Sequence, residues 1–303
     1  MLREAINEFK VIGVLSEIDL KYGTYMKAGV NTEYVGGSIK ILVSENLNGT
    51  THNMEIPVHM FSNKYTKTGS VSPAYEAIER VMKEYVSIAA CGDEAHADRV
   101  MVVGSKNTRI TMNDFVGRDG NIVSDPRLTA SFVSKVTGPF EPEATFSLEC
   151  MLNNMHRVTD ADGVEVDPAK LELQVIVPMY GGKVQVMKLH VTNPAAISHI
   201  ESNWESGKTY QVNGRLNFDA KTVETLQEVA FGDPIKKSHT VSVKEFIISS
   251  GSDAYDDDLA FNLGEIQAAV AQRKVDLEAK KNQAKAAPAP AAAPGKAGLD
   301  LGF

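Results

Sequence analysis

Cysteine is almost missing from this chain of 303 residues: Cys91 and Cys150 stand alone and far apart. A disulfide framework of the secreted kind has no material here, and no Cys-x-x-Cys offers a zinc or redox site. Long apolar runs are missing too, since none approaches the ~18–20 residues that cross a bilayer as a helix. The opening MLREAINEFK is charged and lacks the apolar stretch of a secretory signal, so a cytoplasmic protein is expected. Basic charge is not in excess. With 31 Lys and Arg against 39 Asp and Glu the net charge is −8. A uniformly basic, phosphate-neutralising chain is thereby excluded, and any nucleic-acid binder must concentrate its cations locally.

Catalytic signatures are equally scarce. The histidines at 52, 59, 96, 156, 190, 199 and 239 never fall at i, i+4 spacing. There is no Gly-rich loop ending in Lys-Ser or Lys-Thr and no G-x-S-x-G elbow. The acidic stretch with Asp160, Asp162, Glu165 and Asp167 lacks the spacing of a calcium loop, and Asp162-Gly163 is an ordinary turn signal. No cofactor, metal or catalytic residue is expected, and the protein is read as a non-enzyme.

What the chain has is alternation. A length of 303 residues is that of about two domains, and residues 1–250 are mostly alternating or β-branched runs punctuated by turns. Strands are expected near Phe9–Asp19, Gly37–Ser44 and His52–Phe61, then a helix Pro73–Ile88, then strands Arg99–Met112 and Thr129–Val136. The helix starts from Ser72 and Pro73, with Ile78, Val81, Met82 and Tyr85 on one face. The second half repeats the order, with strands Ala144–Thr159, Leu171–Tyr180 and Lys183–Thr192, a helix Pro194–Trp204, and strands Thr209–Phe218 and Thr240–Ser249. Gly181-Gly182 turns its hairpin. Trp204 continues the helical spacing of Ile197 and Ile200, which favours a core role.

Five strands with a helix between the third and fourth is the order of the OB-fold. The expected fold is all-β with a few helices: one OB-type barrel in residues 1–138, another in 139–252, and a tail in 253–303. That tail holds the acidic cluster Asp256–Asp258, one helix Leu263–Ala286, an Ala/Pro-rich spacer Ala286–Ala297 and the apolar tip Leu299, Asp300, Leu301 and Phe303.

At this point the chain resembles the single-stranded DNA-binding proteins of bacterial and phage replication. The opening NEFKVIGVLSEI is similar to their first strand, an alternating apolar run broken by a Gly, here Gly13. The flexible spacer, acidic residues and terminal Phe303 resemble their tails. Two barrels in one chain and an acidic cluster far before the terminus depart from the bacterial type. The resemblance implies sequence-tolerant binding of single-stranded DNA in replication or recombination, with Leu299, Asp300, Leu301 and Phe303 docking on partner proteins. A phage-encoded protein with tandem barrels is the closest picture.

Single strands are held by cations that track phosphates and by aromatic faces on which bases stack. Candidates in the first half are Lys21, Tyr22, Tyr25, Lys27 and Tyr34, read as a loop between strands one and two. Phe61, Lys64, Tyr65 and Lys67 follow strand three, and Arg109, Phe115 and Arg118 lie near the connection of strands four and five. In the second half the counterparts are Arg157, Tyr180, Lys183 and Lys188. Residues 1–135 carry 15 basic against 16 acidic groups and residues 136–250 carry 10 against 15, so the first half is the stronger candidate. A second reading, a phage structural or assembly protein built of two β-domains, fits the acidic charge equally well.

Overall fold

In a computed structural model, residues 2–27, 29–47, 49–104, 106–117, 119–227 and 235–286 are described. The first half opens with three strands, β1 (Asn7–Lys27), β2 (Val30–Leu47) and β3 (Thr50–Asn63). After helix α1 (Pro73–Glu84) and the short turn α2 (Ile88–Cys91) come β4 (Arg99–Val102), β5 (Thr108–Val116), β6 (Ile122–Ala130) and β7 (Ser134–Lys135). The second half contains β8 (Glu143–Arg157), β9 (Leu171–Met179), β10 (Lys183–Val191), α3 (Pro194–Asn203), β11 (Thr209–Gln227) and β12 (Ile235–Gly251). Helix α4 (Leu263–Ala286) closes the described chain and has the expected span.

Both halves follow one plan. In the second, β8, β9, β10, β12 and β11 pair in turn, and β11 returns to β8 to close the barrel. In the first, β1, β2, β3, β6 and β5 pair in turn, and closure passes through β4, which pairs with β1. In each half one parallel pairing closes the Greek-key path, β3 with β6 and β10 with β12. Two all-β barrels of OB-type order, with few helices, are therefore the architecture.

The expected strand Arg99–Met112 is two strands, because the chain turns at Gly104, whose φ of +111° suits glycine. Strand β5 then leaves the edge of β1, and side chains fill the gap. Asn7 Nδ2 donates to the Ile110 carbonyl at 2.9 Å and Asn7 Oδ1 accepts from the Ile110 N–H at 2.9 Å, as a strand backbone would. The Thr108 hydroxyl accepts from the Phe9 N–H at 3.1 Å.

The strand expected at Thr129–Val136 is broken: its main part lies earlier, at Ile122–Ala130, and only the short β7 pairs further on, against β4, because Asn107 Oδ1 takes the N–H groups of Ser131 and Phe132 between them away from the sheet. Helix α1 stops at Glu84 rather than Ile88. There the chain turns extended, and the Asp98 carboxylate accepts from the Val86 N–H at 2.7 Å.

One backbone ladder joins the halves. Strand β1 pairs antiparallel with β8 from Asn7↔Leu148 to Ile12↔Glu143, so the strands form one continuous sheet. Gly13 lies just past this seam. A Cβ there would sit 2.2 Å from the Leu42 carbonyl oxygen, which explains the glycine that interrupts the first strand. The alternation of β1–β3 turns Val35, Ile39, Ile41 and Val58 inward, fully buried, and α1 adds Ile78 and Val81 to that core. In the second half Leu148, Val175, Leu189 and Phe246 play the same part. Trp204 is buried as its spacing suggests, stacked on Tyr210 with centroids 4.0 Å apart.

Helix α4, expected within a tail, is docked on the body. Phe261 and Ile266 are buried, Val270 packs against the core, and the Arg273 guanidinium meets the Asp114 carboxylate of β5 at 2.8 Å.

Candidate nucleic-acid interface

The segment Lys21–Tyr34, expected as a loop, is the far end of the β1–β2 hairpin, turning at Gly29. Its polar, glycine-punctuated composition hides the strands, and the pairing shows why the glycines are there. Gly23 lies opposite Tyr34, and Gly36 lies opposite Phe61. A Cβ at Gly23 would fall 2.5 Å from the Tyr34 ring, and one at Gly36 would fall 2.9 Å from the Phe61 ring. Each ring thus lies flat across a glycine of the neighbouring strand and keeps its other face outward.

The register sets which residues share this outer face. Lys21, Gly36 and Phe61 form one rung, and Gly23, Tyr34 and Asn63 form the next. Tyr25 follows one rung further on, its hydroxyl donating to Asn63 Oδ1 at 3.1 Å. The rings run as a row, with centroids 5.8 Å apart for Tyr25–Tyr34 and 5.2 Å for Tyr34–Phe61. Phe61 is 56% exposed, which rules out a role as a barrel plug. Val35, Ile39 and Val58, on the opposite face of the same strands, carry the core.

Beside Phe61 the surface sinks into a groove of about 280 Å³ lined by His59, Lys106, Arg109, Thr129 and Ser131. Pairing of β3 with β6 and of β6 with β5 puts His59, Thr129 and Arg109 on one rung. Arg109 is part-exposed and shares its charge with Glu4 at 2.8 Å. Lys106 is exposed, with no ion pair among the described residues. Arg127 occupies the same face of β6, and its buried Nε has no hydrogen-bond partner among the described residues. Burial, reinforced by the nearby Arg127 and Lys244 charges, holds the His59 imidazole below its ordinary pKa and so neutral at pH 7. Flat rings beside a half-compensated cationic groove can stack bases and accept phosphates.

The other candidates are placed less centrally. Tyr22 belongs to the opposite face, where it donates to Glu79 of α1 at 2.9 Å and lies 6.4 Å from the Tyr75 ring. Lys27 is exposed at the hairpin tip, and Lys21 pairs with Asp19 at 3.1 Å. Lys64 is tied to Glu33 at 2.6 Å and sits over the exposed Tyr65 ring at 5.5 Å, with Lys67 exposed in the turn that follows. Phe115 is exposed but lies six residues along β5 from Arg109, about 20 Å away at a strand's rise per residue. Arg118 and the tip residues Leu299, Asp300, Leu301 and Phe303, with the spacer before them, lie outside the described residues.

The second-half candidates are not gathered. Arg157 is forked onto Glu201 at 2.7 and 2.8 Å and also reaches Glu165 at 3.0 Å. Both carboxylates raise its pKa further, and its charge is spent locally. Tyr180, 77% exposed, and Lys183 flank the β9–β10 turn, while Lys188 pairs with Glu172 at 2.9 Å. Lys188 also lines a 420 Å³ cavity with Val186 and His190, walled on its far side by Val270, Arg273 and Leu277 of α4. The β10 face that corresponds to the open β3 face is thus covered by the helix.

Sequence reasoning missed His59, Lys106 and Arg127. His59 and Arg127 meet only through the β3–β6 pairing, which no local pattern announces. The acidic stretch at Asp160 is a hairpin tip, its carboxylate accepting from the N–H groups of Asp162 and Val164.

Two OB-type barrels, one with an open aromatic row beside a cationic groove, define the class by fold. The YorF family model matches residues 5–283, and the chain belongs to that family. The wild-type single-stranded DNA binding protein of Thermus aquaticus is 11% identical with a TM-score of 0.51, over 84% of this chain and 95% of that one. A deletion variant of the same Thermus aquaticus protein is 13% identical with a TM-score of 0.48, over 84% and 97%. The likeness to the wild-type protein, at 11% identity, is one of fold. No curated protein matches.

Proposed function

We propose that the protein binds single-stranded DNA without sequence preference, laying successive bases on the Tyr25–Tyr34–Phe61 row while Lys106, Arg109 and Arg127 receive the backbone. The observation that carries the reading is the pair of rings seated on Gly23 and Gly36, which spend exposed aromatic area where no core needs it. The barrel order shared with a protein named for single-stranded DNA binding supports it. The role is protective coating during replication or recombination, in a phage or its bacterial host, and calls for no catalysis. Leu299, Asp300, Leu301 and Phe303 would recruit partner proteins to the coated strand; their apolar and acidic character at the end of an Ala/Pro-rich stretch supports this part.

Fluorescence anisotropy with labelled oligo-dT and with duplex DNA, at two salt concentrations, tests the reading. Preference for the single strand is expected, with a salt slope of about −0.7 per phosphate contact. Equal affinity for the two forms, or none for either, overturns it.

A further inference from the structure

A second groove, of about 420 Å³, lies across the seam between the halves. Its lining includes Lys10 of β1, Thr145 and Ser147 of β8, Asn213 and Arg215 of β11, and the Val103–Gly104 turn. Pairing aligns Lys10, Thr145 and Arg215 on one rung across three strands, so their side chains share one face.

This groove and the one beside Phe61 are neighbours. Val103 and Gly104 wall the seam groove, and Lys106, Asn107 and Thr108 wall the other, so only the β4–β5 turn stands between them. Asn107 braces that ridge. Its Nδ2 donates to the Val103 and Phe132 carbonyls at 3.1 and 2.9 Å, and its Oδ1 accepts from Ser131 and Phe132. The braced ridge leaves Val103 41% and Phe132 44% exposed, apolar area that serves no packing.

The charges in the seam groove are unequal in availability. Lys10 is neutralised by Glu143 at 2.6 Å, whereas Arg215 has no ion pair among the described residues, although the part-buried Glu45 carboxyl is near enough to feel its charge. Glu8 is the one carboxylate in the lining.

We infer that a single strand leaving the Phe61 row crosses the ridge over Lys106 and Phe132 and continues into the seam groove, where Arg215 takes a phosphate. This rests on the single-strand reading and deepens it, because it makes the second half a binder through its seam with the first rather than through its helix-covered strand face. Three observations carry it: two grooves sharing one turn, an exposed ring on the ridge between them, and at the far end a guanidinium with no ion pair among the described residues.

The test is oligonucleotide length. One OB barrel covers ~4–16 nucleotides, so oligo-dT of ~8 residues should occupy the Phe61 row alone and one of ~32 should reach the seam. In the full-length chain R215E should weaken the long oligomer about tenfold, lower its salt slope by about 0.7 and leave the short one unchanged. F61A should weaken both, and E8Q should tighten only the long one. Hydrogen exchange on the unaltered protein provides a second readout that does not depend on the variant folding: residues 103–108 and 211–215 should gain protection with the long oligomer only. If the parent binds neither oligomer, the single-strand reading itself fails. If it binds both while R215E matches it on the long one, or weakens both equally, or if the long oligomer protects neither segment, the seam path is wrong and the function stands.

Discussion

Replacing Phe61 by alanine separates binding from folding more cleanly than any other change in the row. The side chain is 56% exposed, and its ring touches Tyr34 on one side and covers Gly36 below. Burying a whole Phe side chain contributes about 1.5–3 kcal/mol, so the less than half that is covered here contributes about 1 kcal/mol to stability. In a chain of this size that lowers the melting temperature by about 2–4 °C. A stacked base contributes about 1–3 kcal/mol, so affinity for oligo-dT should fall between about fivefold and 150-fold.

Ile39→Ala is the matched control. Ile39 lies on the opposite face of β2, fully buried, and its truncation should cost about 2–5 kcal/mol of stability. The protein that remains folded should bind as before. Anisotropy titration and a calorimetric melt on both variants decide the matter. F61A with parental affinity and a melting temperature lowered well beyond a few degrees would show that the ring is structural, and would refute the stacking row.

Gly36→Val should evict the Phe61 ring from its seat; the expected result is weaker single-strand binding with a melt close to the parent's, read by the same pair of assays. Asn7→Ala strips the Ile110 N–H of its partner inside the barrel and leaves the Ile110 carbonyl only Gln185 Nε2, at 2.9 Å, so urea titration should show a loss of about 1–3 kcal/mol. Acid should weaken the strap at the start of the chain. Burial would raise the Glu149 carboxyl, but Arg3 at 2.7 Å and the Ile6 N–H outweigh it and hold the carboxyl below its ordinary pKa. A lowered folded-state value gives stability that is present above the unfolded value of about 4.3 and is lost as pH falls through the folded one. Glu149→Gln should therefore be less stable than the parent at pH 7 and should lose less between pH 5 and 3, measured by urea unfolding at each pH. Arg273→Glu should loosen α4 by facing Asp114 with a like charge, visible as faster amide exchange in residues 263–286.

The repeated order of three strands, a helix and further strands was readable because alternation and turn chemistry are local signals. The Gly181-Gly182 turn and the Pro-initiated helices at Pro73 and Pro194 announce themselves. So does Leu263–Ala286 as a helix, but not its docking: beyond Ile266 its inward stripe is only Val270, Arg273 and Leu277, too sparse to mark a buried face. The break at Gly104 was hidden because both flanking runs are β-branched, and β6 was hidden by Asp125-Pro126 in its middle. Tyr25, Tyr34 and Phe61 were legible as an aromatic set. Their seats on Gly23 and Gly36 depend on cross-strand register, which no single strand encodes.

The β1–β8 ladder has a mechanical consequence. Barrels strung on a linker swivel, and a polymer lying across them keeps its own suppleness. Here main-chain bonds from Asn7↔Leu148 to Ile12↔Glu143 weld the two barrels into one plate, with α4 bolted across both by its Arg273–Asp114 pair. A limp strand laid along such a plate takes on its persistence. On the proposed single-strand reading, coating straightens as well as shields, and bending is confined to the joints between one molecule and the next.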